Sequence, residues 1–201
     1  MKPRDAKGPS SPGAKRPPRE KPGQLGSRQI HKGRVVDLAM DQVRFPNGST
    51  VELELVRHSG ASAVVPIIDD SDPADPEILL LRQFRYAAGG ELYEIPAGRP
   101  DSDSEPWETV ARRELEEETG FRPRTLEYLT GIWTTPGFTD ELIHIFLGRD
   151  LEEGSVNTDA DEFLSVERMP LSRALELIDQ GQITDAKSIC GLLLTARRLH
   201  R

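Results

Sequence analysis

Two stretches, ASAVVPII at 61–68 and EILLLRQFRY at 77–86, are apolar too continuously to be strands with one wet face. Successive side chains of a strand point to opposite sides, so a run without alternation presents apolar groups on both. Such strands are central and need a covering layer on each side, for which helices are the usual solution. Helical spacing occurs from about Pro106 to Glu118, in LSRALELIDQG (171–181) and in DAKSICGLLLTARRL (185–199). The expected fold class is therefore an α/β layered sandwich. With 201 residues, of which 36% are apolar, the chain can bury one sizeable core.

The flanks divide accordingly. Residues 1–27 begin with a Pro/Lys-rich segment that holds prolines at 3, 9, 12, 17, 18 and 22 and almost no apolar side chain. It cannot repay the entropy of ordering, so it is read as a disordered tail. Residues 28–60 read as N-terminal antiparallel strands, with Asn47-Gly48 as a hairpin turn ahead of the alternating Val51, Leu53 and Leu55. Residues 61–201 form the main domain, in which ELYEIPAG, TLEYLTGIWTT, ELIHIFLGRDL and LSVERM are further strands. Phe45, Tyr128 and Trp133 read as core residues more readily than as site residues. The net charge of -8 argues against a nucleic-acid partner, because phosphate backbones are held by clustered Lys and Arg. The single cysteine, Cys190, cannot close a disulfide within the chain, which fits a reducing cytoplasm. No apolar run is long enough for a membrane span, and no secretory leader is evident.

The helix near residue 106 poses a physical problem. Advancing about 100° per residue, Trp107, Val110, Ala111 and Leu115 share one side. Glu114 and Glu118 fall inside that apolar sector, Glu117 falls on its edge, and Arg113 falls opposite. Burying unpaired carboxylates costs several kcal/mol each, roughly. A positive group is needed among them, and a hard divalent cation such as Mg2+ suits converging oxygen ligands. The alternative is a solvated, salt-bridged helix, which leaves Glu114 and Glu118 unexplained. The four histidines, His31, His58, His144 and His200, have no ligand spacing.

Gly98, Glu105 and the string Arg113-Glu114-Leu115-Glu116-Glu117-Glu118-Thr119-Gly120-Phe121 resemble the Nudix box: a Gly, five residues, a Glu, seven residues, then R-E-U-x-E-E-x-G-U with U apolar. One departure is that six residues separate Gly98 from Glu105. Outside the box, FPNGSTVELELVRHSGASAVVPI, LLLRQFRYAAGGELYEIPAG, TTPGFTDELIHIFL and ITDAKSICGLLL are similar to the ADP-ribose pyrophosphatase branch, over about residues 34–195. The resemblance implies a Nudix-type α/β/α sandwich with a mixed central sheet. It implies hydrolysis of ADP-ribose to AMP and ribose 5-phosphate with Mg2+, or with Mn2+ in its place. Glu114, Glu118 and the Ala97 carbonyl would be metal ligands, with Glu117 beside them and oriented by Arg113. Glu162, in TDADEF, is the candidate base, with Asp159 and Asp161 as near neighbours. Arg82 and Arg85 are candidates for the diphosphate or ribose, against the alternative of strand-edge salt bridges. Gly137, Phe138 and Glu141 would hold the terminal ribose. The N-terminal strands would cross to a second subunit in a homodimer, where Phe45 is a candidate for stacking on adenine. The rival activities are hydrolysis of another nucleotide sugar, such as GDP-mannose, and nucleotide sensing without cleavage. A sensing module usually loses box glutamates, and Glu114, Glu117 and Glu118 are all present.

Overall fold

The N-terminal strands form a separate antiparallel sheet in the computed structural model, which describes residues 21–155 and 163–200. Its strands are β1 (Gln24–Lys32), β2 (Asp37–Arg44) and β3 (Thr50–Arg57), in that order. The expected hairpin joins β2 to β3, and Gly48 takes the positive φ of 88° that its turn requires. β1 starts at Gln24, inside the stretch read from sequence as tail. It pairs through its backbone with β2 and needs no apolar side chains to do so, which is why composition concealed it.

The main sheet has seven strands. They are β4 (Ala61–Asp69), β5 (Glu77–Arg85), β6 (Gly90–Glu94), β7 (Ala97–Gly98), β8 (Phe121–Trp133), β9 (Leu142–Glu153) and β10 (Leu164–Pro170). The path runs β10-β5-β4-β9-β8, with β6 paired to β5 and β7 to β4. β4 and β9 are parallel and the other pairs antiparallel, so the sheet is mixed, as expected. The helices are α1 (Trp107–Thr119), α2 (Leu171–Asp179) and α3 (Ala186–Leu199). None among the described residues is long and apolar enough to cross a membrane.

The two continuous runs behave as their patterning requires. Ala61, Ala63, Val65 and Ile67 of β4 join Ile143, Ile145 and Leu147 of β9 in a core roofed by α2 and α3. Val64 and Phe146, one position out of phase, pack with Trp107, Ala111 and Leu115 of α1 on the other face. A helix on each side makes the three-layer sandwich, and each fully buried large side chain stabilises it by roughly 1.5–3 kcal/mol. α3 approaches closely because Gly191 has no side chain: a Cβ there would lie 2.9 Å from Val65 and 3.1 Å from Ile95. Two sequence expectations fail at the periphery. Trp133 ends β8 at 44% exposure, and Phe45 sits at 39% beside the hairpin turn. Strand periodicity places a side chain on a face but does not say whether anything covers that face.

One edge of β4 is shared. Ser62 and Ala63 pair with Gly98 and Ala97 of β7, and farther along Ile67 and Asp69 pair with Ile78 and Glu77 of β5. β5 then diverges to pair with β6, while β6 and β7 are joined by Ile95-Pro96. Proline has no N–H to give a ladder, so the chain switches partner there, and the Pro96 carbonyl accepts from Val64 N at 2.9 Å. The sheet therefore forks at residues 94–97.

Candidate active site

α1 begins after Pro106, whose extended backbone sets the entry, and ends at Gly120 with a positive φ of 78°. Trp107, Val110, Ala111 and Leu115 are buried as the helical spacing predicts, and Ser62 Oγ donates to the Trp107 carbonyl at 2.8 Å. Glu118 shares that buried side at 2% exposure. Its Oε2 accepts from Ala97 N at 3.0 Å. One turn earlier, the Glu114 carboxylate occupies the space where a side chain on Gly98 would stand. Two carboxylates of α1 thus lie against the two residues of β7, and glycine at 98 is what admits one of them.

Arg113 collects the remaining acids. Nη1 donates to Glu114 at 2.8 Å and Glu117 at 2.9 Å, Nε to Glu105 at 3.3 Å, and Nη2 to the Arg99 carbonyl at 2.8 Å. Partial burial disfavours its charge, but Glu105, Glu114 and Glu117 more than compensate, holding the guanidinium above its ordinary range. The helical projection set Arg113 on the far side; its long side chain instead curls back into the acidic cluster. The extra residue before Glu105 is absorbed in a turn, where Glu105 N donates to the Ser102 carbonyl and Asp101 N donates to Glu105 Oε2 at 2.7 Å. Glu105 therefore still reaches Arg113. Among the described residues, no three carboxylate or imidazole groups converge on one point. The donors against β7 are nevertheless all hard oxygens, Glu114, Glu118 and the Ala97 carbonyl with Glu117 beside them, a set suited to a small divalent cation.

The other arm of the fork carries the two candidate arginines. Arg85 grips Glu94 with a two-pronged contact, Nε to Oε1 at 2.7 Å and Nη2 to Oε2 at 2.8 Å. Arg82 donates to Glu91 at 2.7 Å and to Tyr93 Oη at 3.2 Å, and stacks over the Tyr93 ring at 4.7 Å. Both therefore make the salt bridges weighed as the alternative to substrate contact. Burial by itself would raise the Glu94 pKa, but Arg85 and then Lys187 override it and hold the carboxyl below its usual value. Lys187 and the rest of this buried network were not singled out from sequence; the signal available was an acid in ELYEIPAG and a lysine at a helix start in DAKS.

The loop between β8 and β9 leaves Gly137 and Phe138 exposed, the latter at 55%. It is docked on β3, with Val56 N donating to the Phe138 carbonyl at 2.8 Å and Asp140 Oδ1 accepting from His58 N at 2.7 Å. The Glu141 carboxylate accepts from Thr134 Oγ1 at 2.8 Å. Glu162, Asp159 and Asp161 lie outside the described residues. His144 is buried at 2% exposure, stacked on Trp107 with ring centres 4.5 Å apart.

A NUDIX domain model matches residues 58–191. The chain belongs to the Nudix family. Among its Nudix relatives, the ADP-ribose pyrophosphatase of Bacillus subtilis (strain 168) is 39% identical over 166 residues, covering 82% of this chain and 86% of the relative. The methanol dehydrogenase activator of Bacillus methanolicus is also 39% identical, over 167 residues, covering 82% and 87%. A crystal structure of an ADP compounds hydrolase superposes with a TM-score of 0.77 at 25% identity, covering 90% of this chain and 95% of that one. The protein is thus a Nudix hydrolase, and Nudix hydrolases are generally dependent on a divalent metal.

Proposed function

We propose that this Nudix hydrolase cleaves the diphosphate of ADP-ribose with water, giving AMP and ribose 5-phosphate, with Mg2+ as its ion and Mn2+ as a substitute. The observation that carries the reading is the seating of Glu114 and Glu118 side by side against Ala97-Gly98, in a chain that matches an ADP-ribose pyrophosphatase along most of its length. Glu114, Glu118 and the Ala97 carbonyl would hold the ion, with Glu117 at its edge. A diphosphate resists attack because its own charge repels a nucleophile; an ion held by these oxygens would screen that charge and acidify the attacking water. Arg113 offsets the mutual repulsion of the crowded carboxylates, its Nη1 donating to both Glu114 and Glu117. Glu162 accepts the proton of the water. Arg85 and Arg82 present planar donors to phosphate or ribose oxygens, and Gly137, Phe138 and Glu141 border the terminal ribose.

The same reading makes the N-terminal sheet a homodimer contact. Leu25, Ile30, Val35, Val36, Phe45 and Leu53 are all exposed in the single chain, an apolar surface that a second copy would cover. The single cysteine fits a cytoplasmic setting. The test is AMP release from ADP-ribose with and without Mg2+, beside Glu118→Gln and a panel that includes GDP-mannose and NADH. Metal-dependent release that is fastest on ADP-ribose and lost in the variant is the expected result. Tight ADP-ribose binding with no turnover of any panel member would leave a sensing module instead.

A further inference from the structure

The fork residue Glu94 is 3% exposed and Lys187, which reaches it from the start of α3, is 8% exposed. Lys187 Nζ donates to Glu94 Oε2 at 2.5 Å and to Asp185 Oδ2 at 3.0 Å. Asp185 is the cap of α3, accepting from Ser188 N at 3.0 Å. Ser188 Oγ in turn donates to Asp185 and accepts from Ile95 N at 2.8 Å. Residues 94 and 95 are therefore tied to one helix end by a side-chain link and a backbone link. Two residues farther along, Ala97 N meets Glu118.

A buried ammonium has a desolvation cost that a merely structural contact could avoid with an apolar side chain. What the charge accomplishes here is orientation. Glu94 uses both oxygens on Arg85, and Lys187 holds one of them, Oε2, as well, which restrains the direction of that carboxylate. The Arg85 fork consumes Nε and Nη2 and leaves Nη1 outside it. The guanidinium also lies within electrostatic reach of Glu118. Glu118 belongs to the acids seated against β7, and its charge, like that of Asp185, favours the charged guanidinium.

We propose that Lys187, held by Asp185, is a positioning residue that acts through Glu94 to aim Arg85 at the substrate's diphosphate. The inference rests on the hydrolase reading above for its substrate, but the relay Lys187–Glu94–Arg85 is a feature of the chain itself. Replacing Lys187 by Met removes the charge and keeps most of the volume. The expected kinetic result is a rise in KM of about tenfold with kcat held within about threefold, the loss of one well-directed charged hydrogen bond to substrate. A role confined to stability would lower the melting temperature and leave KM of the folded enzyme unchanged.

The experiment is a double-mutant cycle with Lys187→Met and Arg85→Gln, measured on the nucleoside diphosphate that the wild type hydrolyses fastest. Alongside it, solvent exchange of the Arg85 Nε proton is followed by 15N-edited NMR without substrate or metal. In the wild type that proton is protected; in Lys187→Met it exchanges at least tenfold faster. The Lys187→Met effect on KM shrinks to within about twofold once Arg85 is already Gln, because the two act in series. Additive KM effects, or Arg85 protection unchanged in Lys187→Met, overturn the relay. Should Lys187→Met fail to fold, Asp185→Asn keeps a cap acceptor while loosening Lys187. It should shift KM and Arg85 exchange in the same direction by a smaller factor, and no shift in either overturns the proposal. A wild type that turns over no diphosphate defeats the hydrolase reading alone, and the exchange measurement still decides the relay.

Discussion

Replacing Gly98 by Ala isolates the geometry of the box from its chemistry, since it removes no charge and no donor. Gly98 is absent from the glycines with positive φ, so alanine meets no backbone penalty, and a more restricted unfolded chain contributes about 0.4–1 kcal/mol of stability. The new methyl group lies within the Glu114 carboxylate, so that side chain must leave β7. Its bond to Arg113 goes with it, costing up to about 1 kcal/mol, while Arg113 keeps Glu105 and Glu117. The two contributions nearly cancel, and the melting temperature should move by less than about 4 °C. Activity should not be spared. Losing one of the two carboxylates seated against β7 is expected to lower kcat/KM about 100-fold, near 2.7 kcal/mol of transition-state stabilisation. The Mg2+ concentration for half-maximal rate should rise 10- to 100-fold, roughly the cost of disturbing a metal's supporting contacts. Steady-state AMP release across an Mg2+ titration, with a thermal melt on the same sample, measures all three quantities. Activity within threefold of wild type at low Mg2+ would refute the claim that Glu114 works from the space Gly98 leaves open.

Other outcomes follow from the same structure. Arg113→Met leaves Glu105, Glu114 and Glu117 without their shared cation, so kcat/KM should fall by about 100-fold and the Mg2+ requirement should rise, read in the same titration. Burial holds the His144 pKa down at about 4 against 6.5, so the unfolded chain takes up the additional proton. Stability is complete above pH 6.5 and declines by about 3 kcal/mol as pH falls toward 4, a limb that His144→Phe should flatten in melts recorded against pH. Glu162→Gln should lower kcat by roughly 10²–10⁴ and remove the acidic limb of its pH profile, whereas Asp159→Asn and Asp161→Asn should stay within about threefold of wild type. Chelation with EDTA should abolish AMP release, and added Mg2+ should restore it.

The central strands and all three helices were legible because burial on both faces and helical spacing are written locally, in β4, β5 and α1 above all. The inward seating of Glu114 and Glu118 was legible for a related reason: an acid on an apolar helical stripe conflicts with its surroundings, and the conflict marks a candidate site. The start of β1, Gln24–Ser27, was not, since it is held by backbone pairing that leaves little trace in side chains. Nor was the wiring of Glu94 to Lys187, which lie 93 positions apart and meet only because α3 packs beneath the fork. Arg113 shows the limit of a helical projection, which fixes where a Cβ starts and not where four flexible bonds deliver a guanidinium.

The fork in the sheet also bears on how such a chain diversifies. One branch carries α1 and its carboxylates against β7; the other carries Arg82, Arg85 and β10. The two share β4 and the short join at residues 94–97, so on the function proposed above substitutions along β5 or β10 would reshape what Arg82 and Arg85 grip without moving the groups set against β7. The join is where that independence ends: it belongs to both branches, and a change there would, on the proposed function, alter grip and cleavage together.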